Sequence, residues 1–148
     1  MEWQVKIYKT SQKHSLFQIA DTIRRKLVKK HCPTGEEQCL RALCFDASVV
    51  LKDTLVANGF NAIVIAGTFY IDNPDIEYNE NEDIVKDYKN ANEASHNPLH
   101  YWVEVNNGII VDITADQFNW ELSEEQMPEI VIGSYLDFPR YTKKGISN

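Results

Sequence analysis

Apolar residues recur with a helical period in the first third of the chain and with strand-like alternation or in unbroken runs after it. From Ser15 to Lys30, Leu16, Ile19, Ala20, Ile23 and Leu27 fall on one face of an amphipathic helix, and Lys29 and Lys30 suit its C-terminal end. Trp3, Val5 and Ile7 alternate with Gln4 and Lys6, which predicts a short strand over Glu2 to Lys9. Pro33 ends the helix. A second helix is expected through Cys44 to about Ala57, stopped by Asn58-Gly59, with Cys44, Ala47, Leu51 and Leu55 on one face. Asn61 to Ile71 is rich in β-branched and aromatic residues and reads as a buried strand. Clean alternation marks His100 to Val105 and Ile109 to Thr114 as two strands of a hairpin turned at Asn106-Asn107-Gly108. A further strand is expected over Glu129 to Gly133, and the polar tail from Arg140 onward is expected to fray. Helices first and an antiparallel sheet after them give an α+β class.

Composition narrows this picture without changing it. A chain of 148 residues, 43% hydrophobic and 25% charged, suits one globular domain over 1–148. No apolar run approaches the length of a membrane span, and Met1 to Gln4 lacks the start of a secretory signal. The net charge of −7 argues against nucleic-acid or anionic-membrane partners. Between Asp72 and Pro98, eight acids face two bases, so nearly all the excess charge sits in one acidic loop insertion. The basic run Arg24, Arg25, Lys26, Lys29 and Lys30 reads as a solvated helix face. Three clustered cysteines, Cys32, Cys39 and Cys44, are odd in number and predict reduced thiols and a cytoplasmic location.

Chemistry enters with Cys44, His100 and Asp112. A thiol nucleophile requires a lowered pKa, a nearby base, and a group that orients the base. A cysteine near a helix start, a histidine on one strand and a carboxylate on the next meet those requirements in form. The hairpin makes the requirement geometric, because strand side chains alternate between faces. A two-residue loop would pair Asn106 with Ile109 and put Asp112 on the wrong face. A three-residue loop pairs Val105 with Ile109 and Asp112 with Trp102, making Asp112 the diagonal neighbour of His100. Gly108 is expected to supply the left-handed residue that often ends such a loop.

Cys44-Phe45-Asp46-Ala47-Ser48 followed by Leu51, Leu55, Gly59, Ala62 and Gly67 resembles the nucleophile helix and next strand of transglutaminase-like proteins. His100-Tyr101-Trp102-Val103-Glu104 resembles their His-x-Trp-x-Glu strand, and Asp112-Ile113-Thr114 their Asp-x-Thr strand. The likeness spans about Gln38 to Phe118. It implies a papain-like core, with helices on an antiparallel sheet. The activity implied is acyl transfer on protein or peptide amides (hydrolysis, deamidation or crosslinking), with no cofactor and no metal. Gln38, six residues before Cys44, stands at the spacing of a papain-type oxyanion-hole glutamine, and Trp102 is assigned to the wall of the substrate cleft. The chain departs from the family pattern at Tyr101, at Ile113, and in lacking a tryptophan within Gly108 to Val111.

Competing readings remain for several residues. Cys44 could be a small core residue, and Cys39 is the other candidate nucleophile. A capping box at Thr34 and Glu37 would start the second helix early and leave Cys44 inside it. We expect instead a break before Cys44. His96 lies in loop sequence and is the weaker base. A zinc site from His31, Cys32 and Cys39 fits no four-ligand spacing. Thr114, Asp116 and Gln117 are expected to tie down the strand end. A protein that kept this fold but lost turnover, serving as a binding or immunity-type module, is the alternative to an enzyme. The sequence leaves substrate and oligomeric state open.

Overall fold

The computed structural model describes residues 2–32, 40, 43–71, 97–122 and 125–147, by backbone alone at residues 2–11, 120 and 147. Two helices, α1 (Glu2–His31) and α2 (Cys44–Ala57), precede a five-stranded antiparallel sheet. Its strands are β1 (Ala62–Phe69), β2 (Leu99–Val105), β3 (Ile109–Asp112), β4 (Val131–Ser134) and β5 (Tyr141–Ser147), in the order β4-β3-β2-β1-β5. A 3₁₀ helix (Ala115–Glu121) follows β3. The α+β class expected from the sequence is the class observed.

Two expectations of local structure are corrected. Glu2 to Lys9 is not a strand but the first part of α1. No Gly or Pro separates it from Ser15, and extending an existing helix is far easier than starting a new element, so a three-residue alternation is overridden. The tail is not frayed along its length: Tyr141–Ser147 forms β5, paired with β1 from Phe69↔Tyr141 to Val64↔Ser147 around an irregularity at Ala66/Gly67. Backbone pairing and one large buried aromatic, Tyr141, outweigh the polar side chains of this edge strand.

Helix α2 begins at Cys44, with Leu43 in the cap position and no side-chain cap. It closes as the Asn58-Gly59 stop predicts. Gly59 has φ +89°, Phe60 N–H donates to Leu55 O at 3.0 Å, and Gly59 N–H donates to Val56 O at 3.0 Å. These are the two bonds of a Schellman end, and Phe60 packs onto the same core as Leu55.

The sheet separates two cores. Leu16, Ala20 and Ile23 of α1 and Ala47, Leu51 and Leu55 of α2 pack against Val103, Val105, Val111 and Ile132. On the other face lie Ile65, Phe69, Trp102, Ile110, Val131 and Tyr141, covered by Phe118, Leu122 and Met127. Both faces of the central strands are therefore buried, which explains their nearly continuous apolar character. Among the described residues, no helix is long and apolar enough to cross a membrane.

Candidate active site

Strand β2 pairs with β3 through Val105↔Ile109, Glu104↔Ile110 and Val103↔Val111, so the loop has three residues. One step further, this register sets Asp112 across from Trp102 and diagonal to His100, as the odd loop requires. The turn chemistry differs from expectation. Positive φ falls on Asn106 (50°) and Asn107 (61°), not on Gly108, and Gly108 N–H closes the turn onto Val105 O at 3.4 Å. Asparagine tolerates the left-handed region well enough to do what was assigned to glycine.

One end of the sheet gathers the chemistry. His100 is the second residue of β2, Asp112 the last of β3, Phe69 the last of β1 and Tyr141 the first of β5. His100 Nε2 lies 2.6 Å from Asp112 Oδ2, and both side chains are buried. Tyr141 O–H donates to the same Oδ2 at 2.6 Å. Asp112 Oδ1 accepts from Thr114 N–H at 3.0 Å and from Thr114 Oγ1 at 3.3 Å. Phe69 and Phe118 meet the imidazole edge-on at 6.1 and 5.1 Å, with Trp102 and Tyr141 at 5.9 and 6.1 Å.

Nδ1, the other ring nitrogen of His100, is buried without a hydrogen-bond partner. Cys44, half-buried at the head of α2, comes up at this end of β2, where Phe45 packs edge-on against Tyr101 at 5.0 Å. Its thiol favours the charged form of the imidazole. The thiol is thus close enough to act on the ring, although no hydrogen bond to Nδ1 is formed among the described residues.

Burial alone would push the His100 pKa down. The charge and hydrogen bond of Asp112, with a smaller contribution from Cys44, overcome it and raise the value to about 9. For Asp112, burial acts upward, but the His100 charge and bond, the Tyr141 bond and the Thr114 N–H hold its carboxyl below the usual range. Burial and the Asp112 charge raise the Tyr141 hydroxyl well above its usual value, so it stays a donor.

The remaining assignments divide. Gln38, Cys39, His96 and the Thr34–Glu37 capping box lie outside the described residues, as does most of the acidic insertion. Trp102, assigned to a cleft wall, is fully buried; its Nε1–H donates to Tyr135 O–H at 3.0 Å, and Tyr135 donates to buried Glu104 at 2.6 Å. Cys32 is disulfide-bonded, which corrects the expectation of three reduced thiols and removes the redox argument for a reducing compartment. An odd count guarantees only that one thiol is left over; among the described residues that thiol is Cys44. Arg24 is not on a solvated face. It makes a bidentate pair with Asp116 at 2.9 and 2.8 Å and donates to Ile113 O at 2.6 Å. Gln117 and Thr114 do tie down the strand end, through Gln117 Nε2–H donating to Thr114 O at 2.8 Å.

Tyr141 is the site residue that sequence reasoning missed. Its signal was an aromatic and a β-branched residue in succession after the Phe138-Pro139 turn, a plausible strand start set aside for the polar residues beyond it. Among the described residues, no group of three or more His, Cys, Asp or Glu side chains is placed to hold a metal. Comparison with family profiles, with curated proteins and with solved structures found no match in any of the three, so the case for this site rests on its own geometry.

Proposed function

We propose that the chain is a cysteine-dependent acyl-transfer enzyme acting on protein or peptide amides, with Cys44 as nucleophile, His100 as general base and acid, and Asp112 orienting the imidazole. The observation that carries this reading is the polarity of the His100 ring: Nε2 is committed to Asp112 and Nδ1 has no partner, while the Cys44 thiol acts on the same ring. The likeness to transglutaminase-like and papain-like proteins makes the same assignment.

In the proposed reaction the Cys44 thiolate, paired with the protonated His100 ring, attacks the amide carbonyl carbon. The backbone N–H groups of the uncapped first turn of α2 are donors for the developing oxyanion. When the tetrahedral intermediate collapses, the C–N bond breaks, and the departing ammonia or amine takes the proton from the imidazolium. A thioester on Cys44 remains. Water or a second amine, deprotonated by His100, attacks it, returns the sulfur as thiolate and releases acid or new amide. Asp112 holds one tautomer of the ring and stabilises its charged form throughout.

Iodoacetamide tests the central claim. Cys44 is expected to alkylate faster than a free thiol, and the rate is expected to fall in His100→Ala. A screen that reads ammonia release and peptide cleavage together, with Cys44→Ala as control, then separates deamidation from hydrolysis. An ordinary thiol profile that is indifferent to His100 would favour the second reading, a binding module on the same fold. One observation supports that alternative: His100 is fully buried.

A further inference from the structure

Asp112 Oδ2 accepts two short bonds, one from His100 Nε2 and one from Tyr141 O–H, each 2.6 Å. Its other oxygen is occupied by Thr114. The carboxylate is thus held at Oδ1 from its own strand end, and at Oδ2 by a donor from the far edge strand of the sheet. We propose that Tyr141 is a fourth, positioning residue of the site: by sharing Oδ2 with His100, its hydroxyl limits how strongly the carboxylate holds the imidazolium. The catalytic consequence rests on the acyl-transfer reading above, whereas the coupling itself rests only on this geometry.

The argument follows from how one oxygen divides its charge. A donor on Oδ2 withdraws electron density that would otherwise strengthen the bond from His100. Removing it while Thr114 still fixes Oδ1 leaves a more basic carboxylate in the same place, and that carboxylate favours the charged ring more. A base held too firmly in its charged form is a poor acid for the leaving amine, so a shared Oδ2 suits a residue that must take a proton and then return it.

The surroundings of the ring offer few competing influences. From α2 it meets Cys44, from β3 Asp112 and from β5 Tyr141. From β1 and the 3₁₀ helix it meets only the uncharged Phe69 and Phe118, and from its own strand Trp102. The Glu104, Lys143 and Tyr135 cluster lies further along the same face, and Tyr135 acts on Tyr141, not on His100. Burial keeps the Tyr141 hydroxyl protonated across the working range, so its donor role does not change with pH there.

The test follows the His100 ring by NMR in the full chain, in a Cys44→Ala background so that no thiol titrates alongside. Tyr141→Phe preserves the ring packing and removes only the donor. It is expected to raise the His100 midpoint by about half a pH unit or more, roughly threefold in the proton equilibrium. Site-specific 3-fluorotyrosine at 141, a stronger donor of nearly the same size, is expected to move the midpoint the other way. Should the phenylalanine variant fail to fold, the fluorinated protein still decides the matter. A midpoint that stays put or moves oppositely in either folded protein overturns the proposal. No turnover is involved, so an unreactive Cys44 would remove the acyl-transfer reading and leave this coupling standing, while an unmoved midpoint would do the reverse.

Discussion

Asp112 receives four donors: His100 Nε2, Tyr141 O–H, and the N–H and hydroxyl of Thr114. A buried carboxylate so surrounded is stable as an anion, and its charge holds His100 protonated to about pH 9. The two groups contribute to stability over different ranges. The raised His100 value means that its contribution is complete below its ordinary 6.5 and fades as pH rises through about 9. The lowered Asp112 value means that its contribution is complete above its ordinary 3.8 and fades as pH falls through the lower folded value. Replacing Asp112 with Asn leaves burial opposed only by the smaller contribution of Cys44, so the His100 midpoint should fall well below 9, and stability should fall by about 3 kcal/mol near pH 6. Thermal melts at several pH values check this: the decline of wild-type stability between pH 6.5 and 9 should be absent from the variant. His100 and Asp112 were legible in the sequence because hairpin parity is a local property, fixed by one loop length. Tyr141 was not, because its partner lies 29 residues away and only the folded sheet joins them.

Among the elements, β1 shows how a missing side chain can set a neighbour's place. Gly67 pairs with His100 across β2, and a Cβ there would run into the Trp102 ring on one side and the Thr142 carbonyl oxygen on the other. The ring could adjust, but the carbonyl belongs to the backbone of β5. Gly67→Ala is therefore expected to cost about 1–3 kcal/mol, and to alter the Trp102 signal in near-ultraviolet circular dichroism through displacement of β5. An unchanged urea midpoint and spectrum would show that the sheet yields more easily than this contact implies. The strands around the hairpin were readable because their apolar patterning is strong. The first helical turns and β5 were not, since three alternating residues cannot outweigh helix continuation and polar side chains do not reveal backbone pairing.

For the molecule as a whole, the question is what fixes the helical layer against the end of the sheet that carries the site. Arg24 answers it from α1. Its guanidinium grips Asp116 with both nitrogens and takes the carbonyl of Ile113, the residue between Asp112 and Thr114. Its bond to the Glu129 carbonyl reaches the segment before β4. Arg24→Met should cost about 3 kcal/mol in urea unfolding, because it leaves Asp116 and a carbonyl without their partner at a largely buried position. A loss below about 1 kcal/mol would mean that water replaces the guanidinium there. From the sequence, Arg24 looked like one of five bases on an exposed face, and only the return of the chain after β3 gives it a use.

The place of β5 in the strand order has a consequence for synthesis. The thiol, the imidazole and the carboxylate are all translated before residue 113, yet the strand that braces the carboxylate is made last of the five and inserts beside the first. A nascent chain on the ribosome can thus form the hairpin and the helix head while β1 still waits for its second neighbour. A chain interrupted before Tyr141 would carry the thiol, the imidazole and the carboxylate and still lack the hydroxyl that completes the hold on Asp112.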